Sequence, residues 1–227
     1  MYHEMDEHER YSFLTLTYDD EHLPSDESLD IREMQLFWKR LRKNTGKKIK
    51  YYCCGEYGTE NRRPHYHAIV FGLGLSEDDK KEVNDAWQKG FVGFGSVTPQ
   101  SIRYCLNYTR KQVNEDLKNE FYKTKSPPFQ KMSKGLGSSF VEKNRDYIMQ
   151  DLCITKNGFR YSIPRYYMKK LNLTIEQLVE FEAKRQIKLS SKDFKIEAYE
   201  EFCRKELLRI QQRKLMLSAK KNLKKRK

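Results

Sequence analysis

The sequence is poor in the features that mark secreted, membrane-spanning or zinc-stapled proteins. Its five cysteines are an odd set without a CxxC pair, which argues against a disulfide framework and against a four-cysteine zinc site. The longest uncharged apolar run falls far short of the ~20 residues that span a bilayer. No signal peptide opens the chain, because its first segment is dominated by Glu, Asp and His. We therefore expect a reduced, cytoplasmic protein without membrane contacts.

Charge, by contrast, is abundant and unevenly placed. Charged residues make up 34% of the 227 residues, against about 25% in typical globular chains, and the mean hydropathy is −0.92. The net charge is +13, and the segment 204–227 carries eleven basic residues against one acid. Such a tail attracts polyanions; the alternative is a solvated basic helix. An aromatic content of 13% excludes a chain that is disordered throughout.

The apolar periods indicate strands and helices in the order β-α-β-β-α-β-α. This order predicts an α+β fold: a central antiparallel sheet of about five strands in a split βαβ arrangement, with helices on one face. We expect one domain over residues 1–163 and a helical extension with the basic tail over 164–227. The predicted strands are Tyr11–Tyr18, Lys48–Tyr57, His65–Gly72 and Phe91–Val97, the domain's helices begin at Asp30, Ser76 and Thr98, a loop covers 126–144 and a hairpin covers 152–163.

Two histidines spaced by one residue are the sharpest chemical signal. On a strand His65 and His67 share one face, so both imidazoles can reach the same divalent cation. Glu56 ends the preceding strand, and the short connection would bring it beside them. Two imidazoles and one carboxylate leave open positions for water or a phosphate oxygen. His22 is a rival third ligand, and a pair of surface histidines without metal is the alternative. Mg²⁺ or Mn²⁺ suits phosphate chemistry, although Zn²⁺ would bind more tightly.

A helix with two tyrosines offers the second group of chemical residues. Tyr104 and Tyr108 are four residues apart and Lys111 follows three later, so all three lie on one stripe of a helix. Taken alone, such a pair is typical of packing. Beside a metal, a tyrosyl oxygen can attack a phosphodiester, and a lysine can lower the phenol pKa from its usual value near 10 or offset charge on the phosphorus.

Three segments together resemble the HUH endonucleases, the initiators of rolling-circle replication. They are FLTLTYDDEHLP (Phe13–Pro24), GEYGTENRRPHYHAIVFG (Gly55–Gly72) and YCLNYTRKQ (Tyr104–Gln112), in the order of that family's three motifs. The likeness is closest to the replication initiators of microviruses, single-stranded-DNA phages of the gokushovirus type, and covers about residues 12–171.

The resemblance implies a function and a set of roles. His65 and His67 would be the HUH histidines and Glu56 the additional ligand of a divalent metal. Tyr104 and Tyr108 would form the two-tyrosine version of the third motif with Lys111, and single-tyrosine relatives favour Tyr108 as the first nucleophile. Such an enzyme nicks single-stranded origin DNA in the host bacterial cytoplasm and becomes linked to the 5′ phosphate. It leaves a 3′ hydroxyl to host polymerase and helicase, and later rejoins the ends.

Two other interpretations stay open. One is a non-catalytic nucleic-acid-binding module, and the other is an HUH transposase or relaxase. Further contacts are less constrained by the sequence. Thr15 and Thr17 share a strand face and either line the DNA site or are ordinary strand residues. The remaining candidates for contacts with DNA or around the metal are Asp19, Asp20, Arg62, Arg63, Lys131 and Lys134.

Overall fold

Short strands and helices follow one another along the chain in this computed structural model, which describes residues 1–58, 61–107, 121–151, 153–156 and 159–189. The strands of these ranges are β1 (Tyr11–Thr17), β2 (Lys50–Tyr57), β3 (Pro64–Phe71), β4 (Val92–Gly95), β5 (Phe129–Met132), β6 (Ile154–Lys156) and β7 (Phe159–Tyr161). The helices are α1 (Tyr2–Met5), α2 (Ile31–Thr45), α3 (Glu77–Trp87), α4 (Pro99–Asn107), α5 (Ser138–Lys143), α6 (Arg145–Asp151), α7 (Arg165–Leu171) and α8 (Ile175–Leu189).

A five-stranded antiparallel sheet in the order β4-β1-β3-β2-β5 forms the centre of the fold. The α+β class and the number of strands are therefore as predicted. The fifth strand, however, is β5, which lies inside the segment 126–144 for which the sequence predicts a loop. Its four residues follow two prolines and are mostly exposed, so no apolar alternation marks them as a strand. Pairing with β2 defines β5 instead.

One face of the sheet is covered by α2 and α3. Asp30 caps α2 by accepting hydrogen bonds from two backbone N–H groups, and Gly46 ends the helix in the left-handed conformation. Ser76 caps α3 by accepting a hydrogen bond from one backbone N–H group. The apolar residues of these helices pack against the even positions of β1, and the core includes Leu14, Leu16, Phe37, Trp38, Leu41, Tyr66, Val83 and Trp87.

The opposite face carries α4, which differs from the expectation that all helices lie on one side. Ile102 and Cys105 of α4 are buried against Tyr52, Cys54 and Ile69 of the sheet. An apolar residue of α1, an element that the sequence pattern does not reveal, packs on the same cluster. This packing fixes α4 over the face to which His65 and His67 belong.

Residues from Phe140 onward belong to a second compact unit, and Met1–Ser139 form the first. The predicted hairpin is present as β6 and β7, with its proposed turn at 157–158 outside the described residues. The predicted helices after residue 164 are present as α7 and α8, whereas the basic tail 204–227 is not described. Our division at residue 163 stays a prediction. In the described ranges no helix is long and apolar enough to cross a membrane.

Candidate metal centre

The register of the central strands brings three predicted ligands together. His65 lies directly opposite Glu56 across the β2–β3 pair, and His67 lies two residues further along β3 on the same face. The Nε2 atoms of both imidazoles are 2.9 Å from Oε1 of Glu56. These three residues offer ligand atoms that all lie within 4.8 Å of one another. The short hairpin therefore produces the arrangement that the spacing predicts.

The burial of this group fits a bound cation. Glu56 is only 3% exposed and His67 only 5% exposed, so their polar atoms are largely shielded from solvent. Oε2 of Glu56 is buried and has no hydrogen-bond partner among the described residues. An unsatisfied buried carboxylate oxygen is costly unless a proton or a cation compensates it. A carboxylate with a spare oxygen beside two imidazoles is a donor set that divalent metals accept.

Both imidazoles are held through their Nδ1 atoms. Nδ1 of His65 donates to the carbonyl of Arg63 at 3.1 Å, and Nδ1 of His67 is 3.0 Å from the hydroxyl of Thr15. Thr15 and His67 are direct partners across the β1–β3 pair. Hydrogen bonds at Nδ1 direct Nε2 of each ring toward Glu56, which is the orientation that metal ligation needs.

The charges within the group support one another. Burial acts to raise the pKa of Glu56, but hydrogen bonds and attraction from both imidazoles outweigh burial and lower it. Burial acts to lower the pKa of His65, yet the Glu56 carboxylate and the Arg63 carbonyl outweigh it and raise that pKa. Glu56 is therefore a stable carboxylate near neutral pH, as a metal ligand must be.

Tyr104 is the predicted nucleophile that the structure describes, and it lies beside the group. Its hydroxyl donates to Oε1 of Glu56 at 3.4 Å, and its ring meets His67 edge to face with centroids 4.8 Å apart. Phe13 stacks on His67 with ring centroids 5.6 Å apart. Tyr104 is nevertheless 40% exposed, so its phenol is open to a substrate. Tyr108 and Lys111 lie outside the described residues.

The other residues considered from the sequence lie apart from this group or take bracing roles. His22 hydrogen-bonds to Asp19 at 2.8 Å, and the metal-competent cluster found among the described residues contains Glu56 rather than His22. Arg63 binds Asp20 and the Tyr18 carbonyl, bracing the loop after β1. Arg62 stacks over the Phe121 ring at 5.1 Å. Lys131 and Lys134 lie at or near the surface.

The Thr15–His67 contact is the element that sequence reasoning does not assign. The sequence places Thr15 only on a strand face that it shares with Thr17. A signal exists, because β1 and β3 both carry polar residues at alternate positions. The pairing register between two strands about fifty residues apart decides which threonine meets which histidine, and a single sequence does not contain that register.

Comparisons with known proteins agree with this site. A family model described as that of the replication-associated protein ORF2 matches residues 11–113, which include the triad and Tyr104. Replication-associated protein VP4 of Bdellovibrio phage phiMH2K is 33% identical over 221 residues, which cover 85% of this chain and 67% of that protein. Replication-associated protein ORF4 of Chlamydia phage 1 is 31% identical, covering 77% and 49%. For replication-associated protein ORF2 of Spiroplasma virus 4 the values are 30%, 70% and 57%.

The chain therefore belongs to the family of phage replication-associated proteins of the microvirus type. It spans between about half and two thirds of the length of these relatives, as the coverage of 49% to 67% shows. No solved structure matches the chain.

Proposed function

We propose that the protein is an HUH endonuclease that nicks and rejoins single-stranded DNA to start rolling-circle replication of a small phage genome. The observation that carries the proposal is the hydroxyl of Tyr104, 3.4 Å from the carboxylate that groups with two imidazoles. A phenol next to a donor set for a divalent cation is what a metal-assisted tyrosine nucleophile requires. Membership of the replication-associated family supports the same interpretation.

In this proposal the triad holds a divalent cation, Mg²⁺ or Mn²⁺, with Zn²⁺ as an alternative in vitro. Nε2 of His65, Nε2 of His67 and the Glu56 carboxylate are the ligands, and Thr15 and the Arg63 carbonyl keep the two rings in place. When bound, the cation supplies a Lewis acid that polarises the scissile phosphate. The limited exposure of the triad keeps competing water away from that contact.

The covalent step is an exchange of one phosphoester for another. The phenol oxygen of Tyr104 or Tyr108 forms a bond to phosphorus while the bond from phosphorus to O3′ breaks. The phenol loses its proton, and the departing O3′ takes one up, so no water is consumed. Because a phosphotyrosine ester replaces the phosphodiester, the reverse attack by a 3′ hydroxyl rejoins the strand. Lys111 offsets negative charge during both steps.

Two tyrosines on one helix suit repeated rounds of this exchange. While one phenol carries the 5′ end, the other is available to attack a newly made junction. Tyr104 lies at the triad, so it is a nucleophile as well as Tyr108, which the likeness to single-tyrosine relatives favours.

The proposed partners follow from these products. The DNA partner is the single-stranded origin, the 3′ hydroxyl is the primer of a host polymerase, and a host helicase opens the duplex ahead of it. The work takes place in the bacterial cytoplasm. We assign the nuclease to residues 1–163 and propose that the basic tail of the extension 164–227 contacts DNA phosphates.

The test is the formation of a covalent adduct. Protein and Mn²⁺ are incubated with single-stranded DNA of the genome that encodes the chain, and a denaturing gel is examined for protein-linked DNA. We expect an adduct that is lost in the double variant Tyr104→Phe, Tyr108→Phe and in His67→Ala. Tyr166→Phe is the matched control, because Tyr166 is 39% exposed and lies on α7. An adduct that persists in the double variant would refute the proposal, and DNA binding without any cleavage would favour the non-catalytic module.

A further inference from the structure

The edge strand β4 presents an unusual surface on the face that carries the triad. Val92 and Phe94 point to the helix-covered face, where they pack against the core. The intervening positions Gly93 and Gly95 therefore lie on the other face, opposite Thr15 and Phe13 of β1. Near His67, β4 thus contributes a surface without side chains.

An exposed phenylalanine stands at the end of this surface. Phe91 exchanges both backbone hydrogen bonds with Thr17, so the two residues are cross-strand partners on one face. Thr17 is in turn the partner of His65. Phe91 is therefore two strand spacings from His65, about 10 Å, in the same row across the sheet. Its side chain is 73% exposed, more than any other large apolar side chain of the described residues.

The position of Phe91 is built by a glycine that the backbone needs. Gly90 has φ +137, and a Cβ there would lie 2.3 Å from the Asp19 nitrogen and 2.4 Å from the Thr17 oxygen. Only glycine permits this approach, which presses the chain against the end of β1 and delivers Phe91 beside Thr17.

Gly93 and Gly95 have no such internal reason. Neither has a positive φ, and a Cβ would meet Thr15 at 3.4 Å or Phe13 at 3.5 Å, which are ordinary contacts. Glycine weakens a strand, and where nothing inside the protein requires it, it marks a place where a ligand approaches the backbone closely. Two such glycines on the triad face point to an external occupant.

We infer that Phe91, Gly93 and Gly95, named here the β4 shelf, bind the single DNA strand next to the scissile phosphate. A base stacks on Phe91, and the sugar-phosphate chain passes over the two glycines toward His65 and His67. This inference rests on the proposed function. Single-stranded DNA is the occupant that fits, because the shelf is continuous with the triad and an exposed aromatic ring stacks on any base. A single strand covers the distance from Phe91 to the triad within a few nucleotides.

The test measures binding of a fluorescein-labelled single-stranded oligonucleotide by anisotropy, in EDTA so that no cleavage intervenes. We expect Phe91→Ala to weaken binding about tenfold, within the range that one base–aromatic stack supplies, and Phe91→Trp to retain it. The control is Leu75→Ala, which truncates a 37% exposed apolar side chain beyond the opposite end of β3 and leaves binding unchanged.

A second variant separates the shelf from the stability of the fold. Gly93→Thr introduces a residue that favours strands and faces Thr15 across the pair, so its melting temperature should equal or exceed that of the wild type. The same variant should bind the oligonucleotide about tenfold more weakly, because its side chain fills the shelf. Binding equal to the wild type in Phe91→Ala or in a folded Gly93→Thr would overturn the inference.

Other outcomes are equally decisive. Self-association that depends on Phe91, with oligonucleotide binding unaffected by Phe91→Ala, would overturn the inference in favour of an interface between copies. The adduct assay on the unaltered chain with Mn²⁺ tests the proposed function separately. An adduct from a wild type whose oligonucleotide binding ignores the shelf variants rejects the shelf and keeps the nuclease.

Discussion

The hydroxyl of Thr15 lies 3.0 Å from Nδ1 of His67, and this contact links the first predicted motif to the second. When Nε2 of His67 binds a cation, Nδ1 must carry the proton and donate it to the Thr15 oxygen. Thr15 thereby holds both the tautomer and the ring orientation of the ligand. Outer contacts of this kind are typically worth about 10- to 100-fold in metal affinity.

We therefore expect Thr15→Val to weaken Mn²⁺ binding about tenfold, measured by calorimetry or by the free Mn²⁺ signal in electron paramagnetic resonance. Thr15→Ser, which restores a hydroxyl, should recover most of the affinity. Thr17→Val is the matched control, because the Thr17 hydroxyl lies on the same face of β1 but donates to the Phe91 carbonyl. Equal Mn²⁺ affinity in Thr15→Val and the wild type would exclude the positioning role.

The choice of Glu56 over His22 as third ligand predicts a pattern of thermal stabilisation. A cation that binds only the folded protein raises the free energy of unfolding, by about 2.7 kcal/mol at a hundred times its Kd. We expect Mn²⁺ to raise the melting temperature of the wild type and of His22→Ala, but not of Glu56→Ala or His67→Ala. Each variant is compared with its own metal-free sample. Stabilisation that survives in Glu56→Ala, or that disappears in His22→Ala, would contradict the assignment.

A buried carboxylate in the N-terminal helix predicts a pH-dependent contribution to stability. Glu4 is fully buried, accepts a hydrogen bond from the Gly137 N–H, and forms ion pairs with Lys50 at 2.7 Å and His8 at 2.8 Å. Burial acts to raise its pKa, but these three partners outweigh burial and lower it from 4.5. The ionised form is therefore favoured by folding, and its contribution is present above pH 4.5 and lost as the pH falls through the lowered pKa.

Glu4→Gln should accordingly cost about 2 kcal/mol of unfolding free energy at pH 7, where the carboxylate of the wild type is ionised. The difference between the two proteins should shrink as the pH is lowered below 4.5. Urea denaturation at a series of pH values measures both effects. Glu9→Gln, an exposed change in the same segment, is expected to be neutral. A cost that is constant across the pH range would argue against the ion pairs as its source.

How far the sequence predicts the site depends on the distance along the chain that each contact spans. His65, His67 and Glu56 are predictable because strand periodicity places the two imidazoles on one face and a short hairpin brings Glu56 opposite. Tyr104 lies on a predicted helix, but only packing of Ile102 and Cys105 on the sheet shows that this helix covers the triad face. Periodicity marks an apolar stripe without saying which face of a sheet receives it.

Two features are hidden from the sequence for related reasons. Glu4 stands among charged residues and is indistinguishable there from a solvated side chain, because its burial depends on Lys50 and on Gly137, more than a hundred residues away. Strand β5 lacks apolar alternation and forms only because β2 leaves an edge open to it. Long-range register, rather than local propensity, decides such features.

The most direct test of the central claim is to identify the residue that bears the DNA. Protein is reacted with single-stranded DNA and Mn²⁺, the adduct is digested with a protease and a nuclease, and the nucleotide-bearing peptide is sequenced by mass spectrometry. The account predicts a phosphotyrosine bond at Tyr104 or Tyr108, formed only with an intact Glu56, His65 and His67 group. Cleaved DNA with free 5′ phosphates and no linked peptide, or a link to a residue elsewhere in the chain, would contradict it.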